Sequence, residues 1–258
     1  MLYTENSVYG KEDDQKFAQA IGEAGNVILP FFLSQRSKEG TVGGDEVLQK
    51  SSLNITGTAP RFSKRYQSLL PPLPSLVAAA RGLGNVECSP DSDGIFRRLP
   101  LVAPFQEHWL PMLGFAAFQL SRPRTPWRFQ DGALVQGDLR IPLDGQGRLM
   151  LKFRGPSRSH SRFSAANIIQ SEVRLQHSQP PIYAPEKLQG KWVFVGATAP
   201  GLLDLKPSPL APVYPGVELH ATLLDNLLQG DFFREIPAWL QWLWTLGLTT
   251  GLIILILF

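Results

Sequence analysis

The sequence predicts an α/β fold, a mixed sheet flanked by helices, with a C-terminal transmembrane helix. Short apolar runs bounded by Gly and Pro are typical of buried strands. Stretches with apolar residues three and four positions apart indicate amphipathic helices between them. The last residues form an apolar run without charge. A chain of 258 residues has room for one substantial domain, expected over residues 1–233, and a membrane helix over residues 236–258.

The stretch from residue 188 to residue 233 organises the prediction. Residues 192–195 read WVFV, a continuous apolar run that predicts a strand buried on both faces. A loop of small residues with Asp204 follows, and a helix is expected from Gly216 until Gly230 ends it. One face of that helix carries Val217, His220, Leu223, Leu224, Leu227 and Leu228. The other face carries Glu218, Thr222, Asp225 and Gln229.

The preceding part of the chain has weaker patterns. A helix is expected from Asp13 to Gly25 and a strand over 27–33, followed by a long surface excursion over 34–72 with at most short strands. Further predictions, in chain order, are a helix over 73–80, strands over 85–89 and 95–102, a helix over 111–120, a strand meander over 133–153 and a helix over 165–170. The N-terminus lacks the pattern of a signal peptide. Because an α/β domain normally has a strand before its first helix, the sequence is interpreted as a fragment.

The C-terminal segment is expected to span a membrane. Residues 236–258 contain no charged side chain, and 23 positions are enough to cross a hydrocarbon core of about 30 Å. Trp239, Trp242 and Trp244 stand at its beginning, where an aromatic belt would lie. Gly247 and Gly251 have the G-x-x-x-G spacing of closely packed helices, which leaves a homodimer open, although simple lipid exposure explains it as well.

Several function classes have no support in the sequence. The net charge of +3 comes from scattered basic residues, so nucleic acid is not an expected partner. The single cysteine, Cys88, is interpreted as a buried residue rather than a catalytic thiol. Residues 196–201 begin like a phosphate-binding loop, but Leu202 and Leu203 replace its Lys and Ser/Thr. Asp91 and Asp93 resemble the start of a calcium loop that lacks its later ligands, so a turn is preferred. No catalytic residue, metal or cofactor is therefore expected.

His220 and Asp204 are the candidate site residues. A histidine on an apolar helix face needs a hydrogen-bonding partner, and Asp204 is the obvious one. The preferred interpretation is a structural pair, and a ligand-binding or proton-sensing role is the alternative. The basic run Arg148, Lys152, Arg154, Arg158 and Arg162 is interpreted as a solvated face, with binding to anionic lipid or an acidic ligand as the alternative.

Several of these segments, taken together, resemble a known protein family. The segments in question read, in chain order, FAQAIGEAGNVILP, PLPSLVAAARGLGNVECSPDSDGIFRRLPL, RLMLKFRGP and GKWVFVGATAPGLLDLKPSPL…YPGVELHATLLDNLLQGDFF. Together they resemble the CHASE type 2 family of cyclase- and histidine-kinase-associated extracellular sensory domains. The resemblance implies an extracytoplasmic input domain of a bacterial membrane receptor, with an N-terminal transmembrane helix before it. It also implies about three helices after it, and then an adenylate or guanylate cyclase or a protein kinase as output.

Compared with that pattern, the upstream helix, the first α/β unit and the output domain are not found, and the family supplies no ligand-binding residues. The resemblance therefore predicts a sensor that is not an enzyme, located at the cell membrane, whose partners are the membrane and the output domain. Two alternatives stay open. One is a tail-anchored cytosolic enzyme with a site around Asp204, Glu218 and His220. The other is a structural module associated with a membrane.

Overall fold

The computed structural model describes residues 3–8, 10–36, 44–123, 125–198, 204–233 and 238–257. Within these ranges helices and strands alternate and the sheets mix parallel and antiparallel pairs, so the predicted α/β class is confirmed. Residues 199–203, part of the predicted loop before Asp204, lie outside the described residues, as do residues 236 and 237 at the start of the predicted membrane helix.

The N-terminal part of the domain is built around a three-stranded sheet. Its elements are α1 (Lys11–Ala24), β1 (Ile28–Ser34), α2 (Gly44–Ser51), β2 (Ile55–Gly57), β3 (Ser68–Leu70), α3 (Pro74–Ala79) and β4 (Gly82–Asn85). β1 lies in the centre, antiparallel to β3 and parallel to β4. The helices α1, α2 and α3 cover an apolar cluster with Phe31, Leu33 and Leu83 at its centre.

The middle of the chain forms a second sheet and two strand pairs. Its elements are β5 (Arg98–Pro100), β6 (Val102–Phe105), β7 (His108–Pro111), α4 (Leu113–Leu120), β8 (Trp127–Gln130), β9 (Ala133–Gln136), β10 (Leu139–Pro142) and β11 (Arg148–Met150). The second sheet has the order β10-β9-β8-β2, β5 pairs with β11, and β6 pairs with β7. The predicted meander over 133–153 is confirmed for β9 and β10, which pair antiparallel across a turn where Gly137 has a positive φ. Its third strand is wrong, because β11 pairs with β5 instead of β10.

The C-terminal part contains α5 (Ala165–Gln176), a 3₁₀ turn at Pro185–Lys187, β12 (Leu205–Ser208), β13 (Ala211–Pro215), α6 (Gly216–Gln229) and α7 (Ala238–Leu257). α6 packs against α4 in a second apolar cluster that includes Phe115, Trp127 and Leu223. The two helices approach closely at Gly114, where an added Cβ would lie 2.6 Å from the carbonyl oxygen of His220. A side chain at Gly114 would therefore push α6 out of the core.

The predicted buried strand over residues 192–195 is wrong. In the structure these residues have no regular secondary structure, and none of their backbone groups pairs with another described strand. Val193 is 54% exposed and Val195 is 71% exposed, while Phe194 packs partly against the second cluster. An apolar run does not make a strand by itself, because its N–H and C=O groups also need a neighbouring strand.

Other differences concern the length and position of elements. The expected surface excursion over 34–72 contains α2, whose Val47 and Leu48 are buried against the N-terminal sheet. β4 comes three residues earlier than the strand expected over 85–89, since it aligns with β1 from Gly82. α5 extends to Gln176 rather than ending at 170. By contrast, α6 begins and ends where the sequence predicts, with Gly230 in the left-handed conformation after it.

α7 is a helix whose large apolar side chains are exposed. Over Trp239–Leu257 its mean hydropathy is 1.8 and none of it is buried. By length and composition it can cross a membrane, and it is the one helix in the described part of the chain that meets this test.

Candidate functional site

His220 is buried on the face of α6 that meets the N-terminal sheet. Its side chain is 4% exposed, and its ring hydrogen-bonds with the backbone of Val86, just after β4. Nδ1 is also buried and has no hydrogen-bonding partner among the described residues. Burial lowers the pKa of His220 to about 4, against the opposing effect of the Asp204 carboxylate. The imidazole is therefore neutral at pH 7.

Asp204 does not hydrogen-bond to His220, so the predicted direct pair is wrong. The Asp204 carboxylate forms an ion pair with Lys206, with Nζ and Oδ1 3.1 Å apart. Its carbonyl oxygen accepts a hydrogen bond of 2.8 Å from the backbone N–H of Gly216. An added Cβ on Gly216 would lie 2.3 Å from Oδ1, which places the carboxylate at the N-terminus of α6. There a negative charge is stabilised by the exposed N–H groups of the helix, and Asp204 acts on His220 only through its charge.

Glu218 points away from His220. Two positions along a helix correspond to a rotation of about 200°, so Glu218 lies on the opposite face of α6. There it is buried and accepts hydrogen bonds from Ser157 Oγ at 3.3 Å and from the backbone N–H of Arg158 at 3.1 Å, and it pairs with the Arg162 guanidinium. Asp204, Glu218 and His220 consequently do not converge on one site. Their positions therefore do not support the alternative interpretation, an enzyme with a site around these three residues.

The polar face of α6 is covered by the basic segment, defined here as residues 152–162. The side-chain amide of Asn226 accepts a hydrogen bond of 2.7 Å from the backbone N–H of Lys152 and donates one of 3.0 Å to its carbonyl oxygen. Thr222 Oγ1 lies 3.1 Å from Nε2 of His160 and 3.0 Å from the hydroxyl of Tyr214. α6 is therefore held on both of its faces.

Arg154, Arg158 and Arg162 of the basic run are exposed, as the interpretation of a solvated face expects, but the run also forms ion pairs. Lys152 and Arg154 both pair with Asp231, just after α6, and Arg154 also pairs with Asp225. Because the acidic partners come from distant parts of the chain, the spacing of the basic residues alone could not reveal them.

A cleft of about 580 Å³ lies between the two apolar clusters. Its first wall follows β4, at the carboxyl end of a strand that is parallel to β1, where ligands commonly bind in α/β sheets. On this wall Glu87 accepts a hydrogen bond of 2.8 Å from the Tyr66 hydroxyl and pairs with Lys64, which also bonds to Ser89. Burial makes the largest contribution to raising the pKa of Tyr66, and the neighbouring Glu87 carboxylate raises this pKa further. The Tyr66 hydroxyl therefore stays protonated.

The second wall is a network of arginines and aspartates. Arg148 donates from Nη1 to Asp91 at 3.1 Å and from Nε to Asp144 at 2.8 Å. Arg98 pairs with the same Asp91 and lies 3.8 Å from Asp144. The backbone N–H of Asp91 donates to the carbonyl oxygen of Ile95 at 2.9 Å, which closes the predicted turn. The turn interpretation is thus confirmed, and the Asp91 carboxylate pairs with arginines.

The sequence did not predict this cleft. Its charged groups come from separate segments around residues 64, 87, 91, 98 and 144–148, and no periodicity connects them. The Asp-rich turn after residue 90 was the one visible signal. Cys88 lies beside the cleft, but burial raises its pKa to about 11, which keeps its thiol protonated. Among the described residues no three His, Cys, Asp or Glu side chains group in a way that could hold a metal ion.

Fold and site together point to a class of protein: an α/β domain with a polar cleft, followed by a helix that can cross a membrane. A family model described as the CHASE2 domain matches residues 1–258. The chain therefore belongs to the CHASE2 family, a family of sensory extracellular domains of signalling receptors, and the resemblance seen in the sequence is confirmed. Neither the curated proteins nor the solved structures contain a match to the chain.

Proposed function

We propose that this chain is the extracytoplasmic input unit of a bacterial membrane receptor whose output is an adenylate or guanylate cyclase or a protein kinase. In this proposal residues 1–233 sense the stimulus outside the cytoplasm and residues 236–258 span the membrane. The observation that carries it is the match of a sensory family along the whole chain. The apolar surface of α7, none of which is buried in the described structure, supports the membrane attachment.

The signal is proposed to leave the domain through α6. This helix contacts the N-terminal sheet through His220, α4 through Leu223 and the basic segment through Asn226. Residues 230–237 separate it from α7 in the chain, which is too short a link for a slack tether. A shift of α6 between two states would therefore displace α7, provided that the stimulus binds the two states with different affinity.

Topology tests the first part of the proposal. We would replace Cys88, the single cysteine, by Ala and introduce Asp138→Cys in the exposed turn between β9 and β10. In intact spheroplasts that express the protein from its own gene, a membrane-impermeant maleimide should label the new thiol. Labelling that requires lysis would place the domain in the cytosol and contradict the proposal. A cytosolic protein with an exposed cysteine serves as the control for leakage.

A flexible insertion tests the second part. In the receptor expressed from its own gene, a Gly-Ser segment inserted between Gln229 and Trp239 should uncouple α6 from α7. We expect the stimulus-dependent change in output to fall strongly while membrane localisation is unchanged. The matched control is the same insertion at the exposed Gly137–Asp138 turn. If the response keeps its full amplitude, rigid coupling through this link is wrong.

A further inference from the structure

We propose that the cleft between the two apolar clusters binds a small organic anion, with Arg148 and Lys64 contacting its charged group and Phe62 contacting its carbon skeleton. The biological purpose of such a ligand rests on the proposed sensory function. The binding itself can be measured without it.

The first argument is the depth at which the charges lie. The side chains of Lys64, Arg98 and Arg148 are 20–23% exposed, whereas those of their partners Glu87, Asp91 and Asp144 are only 10–13% exposed. These three cations and three anions balance, so net charge does not favour an anion. Exposure does, because the cation is the more exposed member of each pair and all three cationic residues line the cleft.

The second argument is unused hydrogen-bonding capacity. A guanidinium group has five N–H donors in a planar fork that matches a carboxylate. Arg148 uses Nη1 and Nε for its two aspartates, and its Nη2 has no bonding partner among the described residues. Lys64 has three N–H donors, of which two are directed at Glu87 and Ser89. An incoming oxyanion can therefore be bound without breaking the existing ion pairs.

The third argument is size and apolar lining. A volume of 580 Å³ falls in the range of small-molecule pockets, about 300–1,000 Å³, and is large for a bare inorganic ion. The ring of Phe62 rests on the backbone of Gly147, where an added Cβ would lie 2.6 Å from Cε1. This contact places an aromatic surface directly beside Arg148. Pro100, Val102 and Pro104 line the cleft as well, so the ligand is expected to carry a carbon skeleton.

The cleft is also adjacent to the proposed output helix. Glu87 belongs to the first wall, and the residue before it, Val86, hydrogen-bonds with His220 of α6. A ligand whose charged group attracts Lys64 alters the ion pair between Lys64 and Glu87. That change is one residue away from the contact between the sheet and α6.

Binding can be tested with the full chain in detergent by isothermal titration calorimetry. The probes are acetate, butyrate, succinate and adipate, with inorganic phosphate, neutral succinamide and cationic putrescine for comparison. We expect saturable binding of at least one carboxylate, at least tenfold tighter than phosphate, and none of succinamide or putrescine. Arg148→Gln should weaken that binding at least tenfold. Arg154→Gln, which removes an arginine paired with Asp225 and Asp231 outside the cleft, should leave it unchanged.

Each other result would overturn the proposal. Equal affinity for phosphate would mean a simple oxyanion site, binding of putrescine would reverse the assigned charge, and failure of all four carboxylates would leave the network purely structural. Because Arg148→Gln removes two ion pairs, Lys64→Gln provides a second variant, and thermal melts verify that both fold. The maleimide experiment separates the two proposals, since an extracytoplasmic domain without carboxylate binding retains the sensory function and loses only this ligand.

Discussion

α6 and α7 are neighbouring long helices that are held in place by different surroundings. α6 buries apolar side chains such as Leu219 and Leu223 on one face and Glu218, Thr222 and Asn226 on the other. α7 leaves its large apolar side chains exposed, up to 77% for Leu255. Two of its hydroxyl groups bond within the helix, where Thr245 and Thr249 donate to the carbonyl oxygens of Gln241 and Thr245 at 2.9 and 2.7 Å.

This difference shows which surroundings stabilise each helix. Glu218, Thr222 and Asn226 on α6 each have a specific protein partner, so α6 depends on the rest of the domain. None of α7 is buried in the described structure, and its uncharged surface suits a hydrocarbon environment. Substitutions in α6 should therefore cost folding free energy, whereas changes in α7 should affect membrane attachment.

Removal of α7 has the largest expected effect. A chain that ends at Phe233 should move from the membrane fraction to the soluble fraction, because the apolar surface of Trp239–Leu257 is lost. Cell fractionation followed by detection of the protein measures this redistribution. The full chain, prepared in parallel, is the control and should need detergent for extraction. Full-length protein that stays soluble without detergent would break the comparison between the two helices.

Asn226→Leu should cost the most stability among single substitutions in α6. Asn226 is fully buried, and its amide makes both hydrogen bonds to the backbone of Lys152. Replacing it by an apolar side chain of similar size leaves the partner N–H and C=O unsatisfied, which should reduce the free energy of unfolding by about 2–4 kcal/mol. Urea denaturation measures the change.

The matched control for Asn226 is Gln229→Leu, one helical turn later on the same helix. Gln229 is exposed, and its side chain bonds to Asp225 of the same helix. Its replacement should change the free energy of unfolding by no more than about 0.5 kcal/mol. Similar costs at the two positions would show that the basic segment does not hold α6.

His220 should make the stability of the domain depend on pH. Its pKa is about 4 in the folded protein and about 6.5 in the unfolded chain, so the unfolded chain binds more protons between these values. Stability is therefore complete above the unfolded pKa and is lost as the pH falls toward 4. Between pH 7 and pH 5 the loss should be roughly 2 kcal/mol.

The pH effect is separated from other titrations by substitution. His220→Leu removes the imidazole, so urea denaturation of this variant should lose most of the difference between pH 5 and pH 7. His220→Ala at pH 7 should in addition reduce stability by about 1–3 kcal/mol, through the cavity and the lost bond to Val86. An unchanged melting temperature in His220→Ala would contradict its burial.

The sequence predicts the two helices well because their signals are local. The spacing of His220, Leu223 and Leu227 defines the apolar face of α6, and the absence of charge after residue 236 defines α7. The Gly137-Asp138 turn likewise predicts the hairpin of β9 and β10, since positive φ is a property of single residues.

Features that depend on distant partners could not be predicted. The ion pairs of Arg154 and Lys152 require knowledge that Asp231 folds back beside the basic segment. The cleft requires Lys64 and Arg148 to meet across more than 80 positions of sequence, counted from residue 64 to residue 148. His220 was correctly expected to be buried, but its partner is the backbone of Val86, which no side-chain pattern can indicate.

The smallest expected effect belongs to Val195, which is as exposed as the side chains of α7 although it precedes α6 in the domain. The exposed apolar side chains of α7 are expected to be covered by a membrane. An exposed side chain within the domain, by contrast, should contribute little to the free energy of unfolding. Val195→Thr should then change the free energy of unfolding by no more than about 0.5 kcal/mol. The matched control is Leu29→Thr in β1, where the side chain is 4% exposed and the loss should be about 2–4 kcal/mol. Urea denaturation of the two variants distinguishes the interpretations, because a buried strand over residues 192–195 would make both substitutions costly.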